Sequence, residues 1–231
     1  MRIGIQKTSL VDFPGRVSAV LFMHGCNMRC PYCHNPSLLV PEGPDDELFF
    51  TAQEALEFLE RRRSVLSGVV LSGGEPTLHA ELPALASDIR RFGYKVKLDT
   101  NGTMPDRIVA VGADYIAMDL KTSPHRYPEL WPGSPPDGPE RLCQSMQIIR
   151  ETGAGYEFRI TCAPGIFTEA DAEMVAALLE ERDTVILQRY RPGLVLDPVW
   201  AQGVSPYTEE QLSSLLAIVR RAAPMARIRG L

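Results

Sequence analysis

Three cysteines fall close together in the segment Gly25–Asn35, GCNMRCPYCHN, with the spacing C-x3-C-x2-C. Three thiolates on so short a loop can each ligate one iron of a 4Fe–4S cluster, for which cysteine is the usual protein ligand. The remaining iron then lacks a protein ligand, and an open coordination position separates a catalytic metal site from a closed structural one. The same segment also suits a zinc ion held by Cys26, Cys30, Cys33 and His34, although neighbours in sequence such as Cys33 and His34 rarely aim at one metal. Spacing leaves both alternatives open.

A second constellation is LSGGEPT, Leu71–Thr77. Gly73 and Gly74 lack a Cβ, so the chain can turn sharply there and approach a ligand closely. Glu75 adds a negative charge beside exposed carbonyls, which suits an ammonium group, and Pro76 stiffens the exit. A double glycine alone is an ordinary strand-to-helix turn. Placed at the same sheet edge as the cysteines, it reads as part of a ligand site.

The elements that must position these residues alternate between short apolar, β-branched runs and helical patterns, the signature of β/α units around a parallel sheet. Strands are expected at Val17–Met23, Gly68–Leu71, Lys95–Thr100, Tyr115–Leu120, Gly155–Cys162 and Thr184–Tyr190. Helices are expected from Thr51 to about Arg63, where Thr51 and Glu54 form a capping box. Others cover Leu82–Phe92, Pro105–Val111, Glu140–Thr152, Ala170–Arg182 and Glu209–Ala222. There is no internal repeat and no long linker, so residues 1–231 read as one domain.

Strands buried on both faces are near-continuous apolar runs. Here Lys97 and Asp99 interleave with Val96 and Leu98, Asp119 and Lys121 flank Leu120, and Glu157 and Arg159 interleave with Phe158 and Ile160. Side chains alternate faces along a strand, so each strand sends its polar set to one side. The expected fold is therefore α/β, a partial (β/α)6 TIM-like open barrel with a polar lumen and the cluster at the C-terminal edge of the strands. Two long connections, Ser123–Glu140 with six prolines and Trp131, and Arg191–Tyr207 with Trp200, fall at that edge and read as an ordered lid or docking surface.

Composition sets outer bounds. A formal net charge of −5 and a single basic run, Arg61–Arg62–Arg63 at a predicted helix end, argue against a nucleic-acid binder. No apolar run approaches a membrane span or a secretory leader, so the expected setting is cytoplasmic, where clustered cysteines imply metal chemistry. The other two cysteines, Cys143 and Cys162, read as small core residues, which leaves no second cluster site.

CNMRCPYC followed by SGGEP resembles the radical S-adenosylmethionine superfamily, and YCHN with VDFPG resembles its glycyl-radical-enzyme activases. KLDTNG (Lys97–Gly102), YIAMDLK (Tyr115–Lys121), YEFRIT (Tyr156–Thr161) and ILQRY (Ile186–Tyr190) extend the likeness over nearly the whole chain. The subgroup it resembles most is the anaerobic ribonucleoside-triphosphate reductase activating proteins, next to the pyruvate formate-lyase activating enzymes. Phe13 stands where the latter typically carry glycine.

The resemblance implies an oxidoreductase with one 4Fe–4S cluster on Cys26, Cys30 and Cys33. It implies S-adenosylmethionine on the open iron, with its amino group received by Gly73, Gly74 and Glu75. Tyr32 would lie near the adenine, Arg159 at the carboxylate and Gln188 at the adenine or ribose. Asp99, Thr100, Asp119 and the Ala117 carbonyl match a monovalent-cation site, for Na+ or K+. Asp12, Pro14 and Gly15, with His34 and Asn35, match the surface that receives a partner's peptide. Reductive cleavage would yield a 5′-deoxyadenosyl radical that takes hydrogen from a glycine of a partner glycyl radical enzyme. The implied electron donor is a flavodoxin or a ferredoxin-type protein. Two rivals remain: a small-molecule radical enzyme similar to 7-carboxy-7-deazaguanine synthase, and a non-catalytic iron–sulfur or zinc-binding module.

Overall fold

The computed structural model describes residues 1–39 and 49–229. One eight-stranded sheet carries the fold, with strands in sequence order. β1 (Ile3–Ser9) runs antiparallel to β2 (Ser18–Met23). The parallel run then continues through β3 (Gly68–Gly73), β4 (Lys95–Thr100), β5 (Tyr115–Asp119), β6 (Gly155–Cys162), β7 (Val185–Arg189) and β8 (Arg227–Arg229). Sequential order winds the sheet steadily in one sense. β1 and β8 do not pair among the described residues, so the wall is a partial barrel. The six expected strands are β2–β7; the two edge strands are additional.

The pleat divides the side chains as the alternation predicts. Leu21, Val69, Leu71, Val96, Leu98, Ile116, Met118, Phe158, Ile160 and Leu187 are buried in one large core with the helices. Those helices are α1 (Ala52–Arg61), α2 (Leu82–Arg91), α3 (Pro105–Val111), α4 (Tyr127–Leu130), α5 (Gly138–Glu151), α6 (Glu169–Ala176), α7 (Pro198–Gln202) and α8 (Glu209–Arg220). The alternate residues face the lumen, where Val20 and Val70 form a small separate cluster with Phe13. A Cβ on Gly68 would lie 2.8 Å from the Phe13 ring, so the VDFPG turn uses Phe13 to plug the lumen. Pro14 and Gly15 stay exposed, and Gly15 makes the turn at φ +71°.

Helix starts follow their caps. Thr51 accepts from the Glu54 amide and Glu54 reaches back to Thr51, as the capping box requires. Thr168 and Asp171 make the same box on α6, and Thr208 and Gln211 on α8. α6 ends at Ala176, short of the expected Arg182. The turn that follows brings the buried Asp183 carboxylate onto Arg150 at 2.6 and 3.0 Å, onto the Glu180 amide and onto the Tyr156 hydroxyl. Cys162 is buried, as expected, but Cys143 is exposed on α5. No described helix is long and apolar enough to cross a membrane.

Asp171 also ties the connection after β5 to the barrel. Its buried carboxylate accepts from the hydroxyls of Thr122 (3.0 Å) and Ser123 (2.5 Å) and pairs with Arg126 at 2.7 Å. Burial alone would raise its pKa, but the hydrogen bonds from Ser123 and Thr168 hold the carboxyl well below the ordinary range. A depressed carboxyl contributes stability that is present above the unfolded value of about 4 and is lost as pH falls through the folded one. Asp171→Asn should therefore lower stability at neutral pH by about 1–3 kcal/mol and flatten its decline toward acid. Urea unfolding from neutral pH down to about pH 3 reads this directly, and a variant curve parallel to wild type at every pH would sink it.

Candidate functional site

The cysteine loop leaves β2 at Met23 and turns at Gly25, whose φ is +94°. Three other parts of the chain grip its backbone. From the β3 edge, the Gly74 amide donates to Met23 O at 2.9 Å and the Glu75 amide to Gly25 O at 2.8 Å. On another side, Arg29 N–H donates to Leu130 O at 2.7 Å, so the proline-rich connection reaches the loop through α4. The connection after β7 supplies the third grip, from the Leu196 amide to Cys33 O and the Asp197 amide to Pro31 O, both 3.0 Å. The two long connections therefore act as clamps on the cysteine loop.

The thiols of Cys26, Cys30 and Cys33 line one cavity of about 470 Å³, with Gly73, Gly74, Asp99, Thr100, Asp119, Arg159 and Gln188 in its wall. Among the described residues, no three His, Cys, Asp or Glu side chains converge on a point that could hold a single metal ion. A cluster takes its three ligands on three separate irons, so its thiols need not meet at one point. Burial pushes the Cys26 thiol up to about 11 and raises that of Cys30. Lys121, which lines the same cavity, pulls both back toward thiolate. Iron deprotonates a coordinating thiol outright, so buried thiols beside a fixed cation fit a cluster. The buried Tyr32 hydroxyl lies against the Cys30 thiol, the polar group it serves in this wall.

The double glycine has a different first partner from the one its sequence suggests. A Cβ on Gly74 would lie 1.9 Å from Gly25 O and 3.2 Å from Cys26 Cβ, and one on Gly73 would lie 2.3 Å from Met23 N. Both positions exclude a side chain because the turn is pressed onto the cysteine loop. Glu75 turns away from the cavity. It is fully buried, and its carboxylate accepts from the Thr77 amide and hydroxyl, the Thr100 hydroxyl at 2.8 Å and the Asn101 amide at 2.6 Å. Burial raises its pKa while these bonds oppose the rise. Its carboxylate is thus a brace between the β3 and β4 edges and is not free to receive an ammonium group. Asn101 carries the brace onward, donating to Asn27 Oδ1 at 2.9 Å and lying 4.0 Å from Cys26 Sγ. LDTNG gave Asn101 no distinct signal, since only the fold brings it to the cysteines.

The lumen charges form one chain. Arg159 Nε donates to Asp119 at 2.8 Å, its NH1 lies 3.4 Å from Asp99, and Lys121 Nζ is 2.9 Å from Asp119. Lys97 Nζ is 2.5 Å from Asp99, which also accepts from Ser72 at 3.1 Å. Burial disfavours the charged form of Asp119, but Arg159 and then Lys121 hold its carboxyl far below the usual range. The four residues expected to hold Na+ or K+ do not fit that role. Both carboxylates are already paired, the Thr100 hydroxyl serves Glu75 and the Gly102 amide, and Ala117 is buried opposite Asp99 in the β4–β5 register.

Asp12, His34 and Asn35 also line the cavity, unlike the exposed Pro14 and Gly15. His34 stacks on Tyr190 (6.2 Å, 18°), Tyr190 meets Trp200 edge-on at 5.2 Å, and Tyr32 lies 6.3 Å from Trp200. Trp200 thus belongs to the wall behind the cysteine loop.

With this geometry in hand, similarity to known proteins becomes informative. Residues 20–180 match the model of the Radical SAM superfamily. A Methanocaldococcus jannaschii protein, named provisionally as a glycyl-radical enzyme activating enzyme, is 30% identical over 229 residues, spanning 94% of this chain and 91% of its own length. The 7-carboxy-7-deazaguanine synthase of Aquifex aeolicus is 34% identical over 90 residues, 39% of this chain and 38% of that one. In fold, a radical SAM methyltransferase from Sphaerobacter thermophilus superposes with a TM-score of 0.67 at 19% identity, covering 94% of this chain and 67% of that one.

The brace makes its own prediction. Glu75→Gln turns one acceptor oxygen into a donor facing other donors, which costs about 1–3 kcal/mol when the group is buried. The variant should melt lower, and Cys26 in the metal-free protein should react faster with a thiol reagent, followed by mass spectrometry of the labelled peptide. Unchanged melting and labelling would mean that Glu75 does not hold the loop.

Proposed function

This chain belongs to the radical SAM superfamily, and on that premise we propose that it cleaves S-adenosylmethionine reductively at a 4Fe–4S cluster and installs a glycyl radical in a partner enzyme of the anaerobic ribonucleotide reductase type. The observation that carries the reading is the shared cavity: three thiols of one loop open onto the Gly73–Gly74 turn, with Arg159 and Lys121 across from them. Cys26, Cys30 and Cys33 hold the cluster. When bound, that group supplies the electron that splits the cofactor into methionine and a 5′-deoxyadenosyl radical.

The chain's own residues bind and orient. The Gly73–Gly74 backbone takes the amino group of S-adenosylmethionine, with the Glu75 carboxylate turned inward. Arg159 and Lys121 take the carboxylate; each already has one anchor on Asp119, which fixes the direction of its remaining donors. Tyr32 and Gln188 line the adenosine side, and Met28 and Leu39 add apolar wall that limits water near a reactive radical. Asp12, His34 and Asn35, which line the cavity, would meet the partner's glycyl segment, and the reductant would be a flavodoxin or ferredoxin-type protein. A relative that carries the name of an activating enzyme and matches 94% of this chain supports this task over small-molecule chemistry, since the likeness to two 7-carboxy-7-deazaguanine synthases spans 39% and 49% of the chain.

Anaerobic reconstitution with iron and sulfide, followed by a strong reductant and S-adenosylmethionine, should give 5′-deoxyadenosine. Alanine at Cys26, Cys30 or Cys33 should drop it to background. Arg159→Gln should weaken cofactor binding by roughly tenfold to a hundredfold, the weight of one charge-assisted hydrogen bond. Mixing with the anaerobic reductase of the same organism should give the doublet radical signal of a glycyl radical. Zinc uptake without 5′-deoxyadenosine would refute the reading as a whole. Cofactor cleavage with no radical in any such partner would refute the partner alone.

A further inference from the structure

We propose that Lys97 is a built-in counter-ion that occupies the role of a monovalent cation at Asp99, so that this protein needs neither Na+ nor K+ in its lumen. The proposal concerns the charge balance of the wall and stands independently of the partner.

Lys97 is among the largest fully buried side chains of the protein, its side chain 2% exposed. A buried ammonium is expensive unless it is paired. Lys97 and Asp99 lie two residues apart on β4, so the pleat puts both on the lumen face, and the one strand supplies an anion together with its cation. Nζ lies 2.5 Å from one oxygen of Asp99; the other oxygen accepts from Ser72 at 3.1 Å and faces Arg159 NH1 at 3.4 Å. Next along the wall, the two oxygens of Asp119 are taken by Arg159 Nε and Lys121 Nζ. Glu157, lower on the same face, has the Tyr115 hydroxyl at 3.3 Å and Arg229 at 3.5 Å.

Each carboxylate oxygen of Asp99 and Asp119 therefore has a donor, and Lys97, Lys121 and Arg159 balance Asp99, Asp119 and the buried Glu157, whose charge Arg159 also feels. An added metal cation would enter a region whose carboxylates are already balanced and would have to displace a charged side chain from a desolvated wall. Neutralising Lys97 leaves the wall one positive charge short and Asp99 Oδ1 open. The vacated position then suits a small cation of the same charge.

Melting of the metal-free 231-residue chain in choline chloride, NaCl and KCl at matched ionic strength tests this. Wild type should melt at the same temperature in all three, and so should Lys97→Arg. Lys97→Met and Lys97→Gln should melt lower than wild type in choline and recover by roughly 4 °C or more in NaCl or KCl, a shift well outside ordinary error for a chain of this size. An ion pair with a merely structural role would lower the melt equally in every salt. A specific Na+ or K+ response by wild type would overturn the proposal. So would variants that melt alike in all three salts, or that fail to fold in any of them, because a small cation must be able to stand in for the lost charge.

Discussion

The backbone of Gly74 lies against that of Gly25 with no room for a side chain between them. That contact fixes how the cysteine loop meets the barrel, and much of the site is arranged around it. The loop's hydrogen bonds to the β3 edge, the inward turn of Glu75 and the bracing of Asn27 by Asn101 follow from holding those two turns together. A loop that must present three thiols at fixed separations cannot rely on its own short span for rigidity. It takes rigidity from elements distant in sequence, including α4 and the segment before α7.

Much of this was legible in the sequence, for reasons that differ by region. Strands β2–β7 were visible because their outer-face residues are apolar and regular. The lumen set was visible because Lys97 and Asp99, or Glu157 and Arg159, break the apolar run with period 2. The edge strands were not seen. β8 has three residues and no apolar repeat, and β1 ends in the polar stretch Gln6–Ser9. Capping boxes gave helix starts well, but nothing local marked the early end of α6, which is set by Asp183 reaching Arg150 across the fold.

The site residues divide in the same way. Cys26, Cys30, Cys33, Asp99, Asp119, Arg159 and Gln188 all reach one cavity, as their motifs and strand parity implied. Glu75 departs from its expected role because a motif fixes a residue's position and leaves open which side of the turn its side chain takes. Partnership among charges was likewise hidden. A sequence shows that Lys97, Lys121 and Arg159 face the same lumen as two aspartates, but the pairing depends on the curvature of the sheet. Phe13 illustrates the remaining gap, since an aromatic in a turn looks like a surface residue until the lumen it plugs is known.

A sheet that stops short of closure keeps two free borders, and each is a template onto which another extended chain could add. Here both borders are poor templates. β8 offers three residues, with Arg227 and Arg229 exposed, and β1 has Lys7 exposed near its end while Phe50 bridges to Ile3 at its start. Among the described residues, the wide mouth of the barrel is thus obtained without exposing a long apolar ribbon, and each border offers little for another strand to extend.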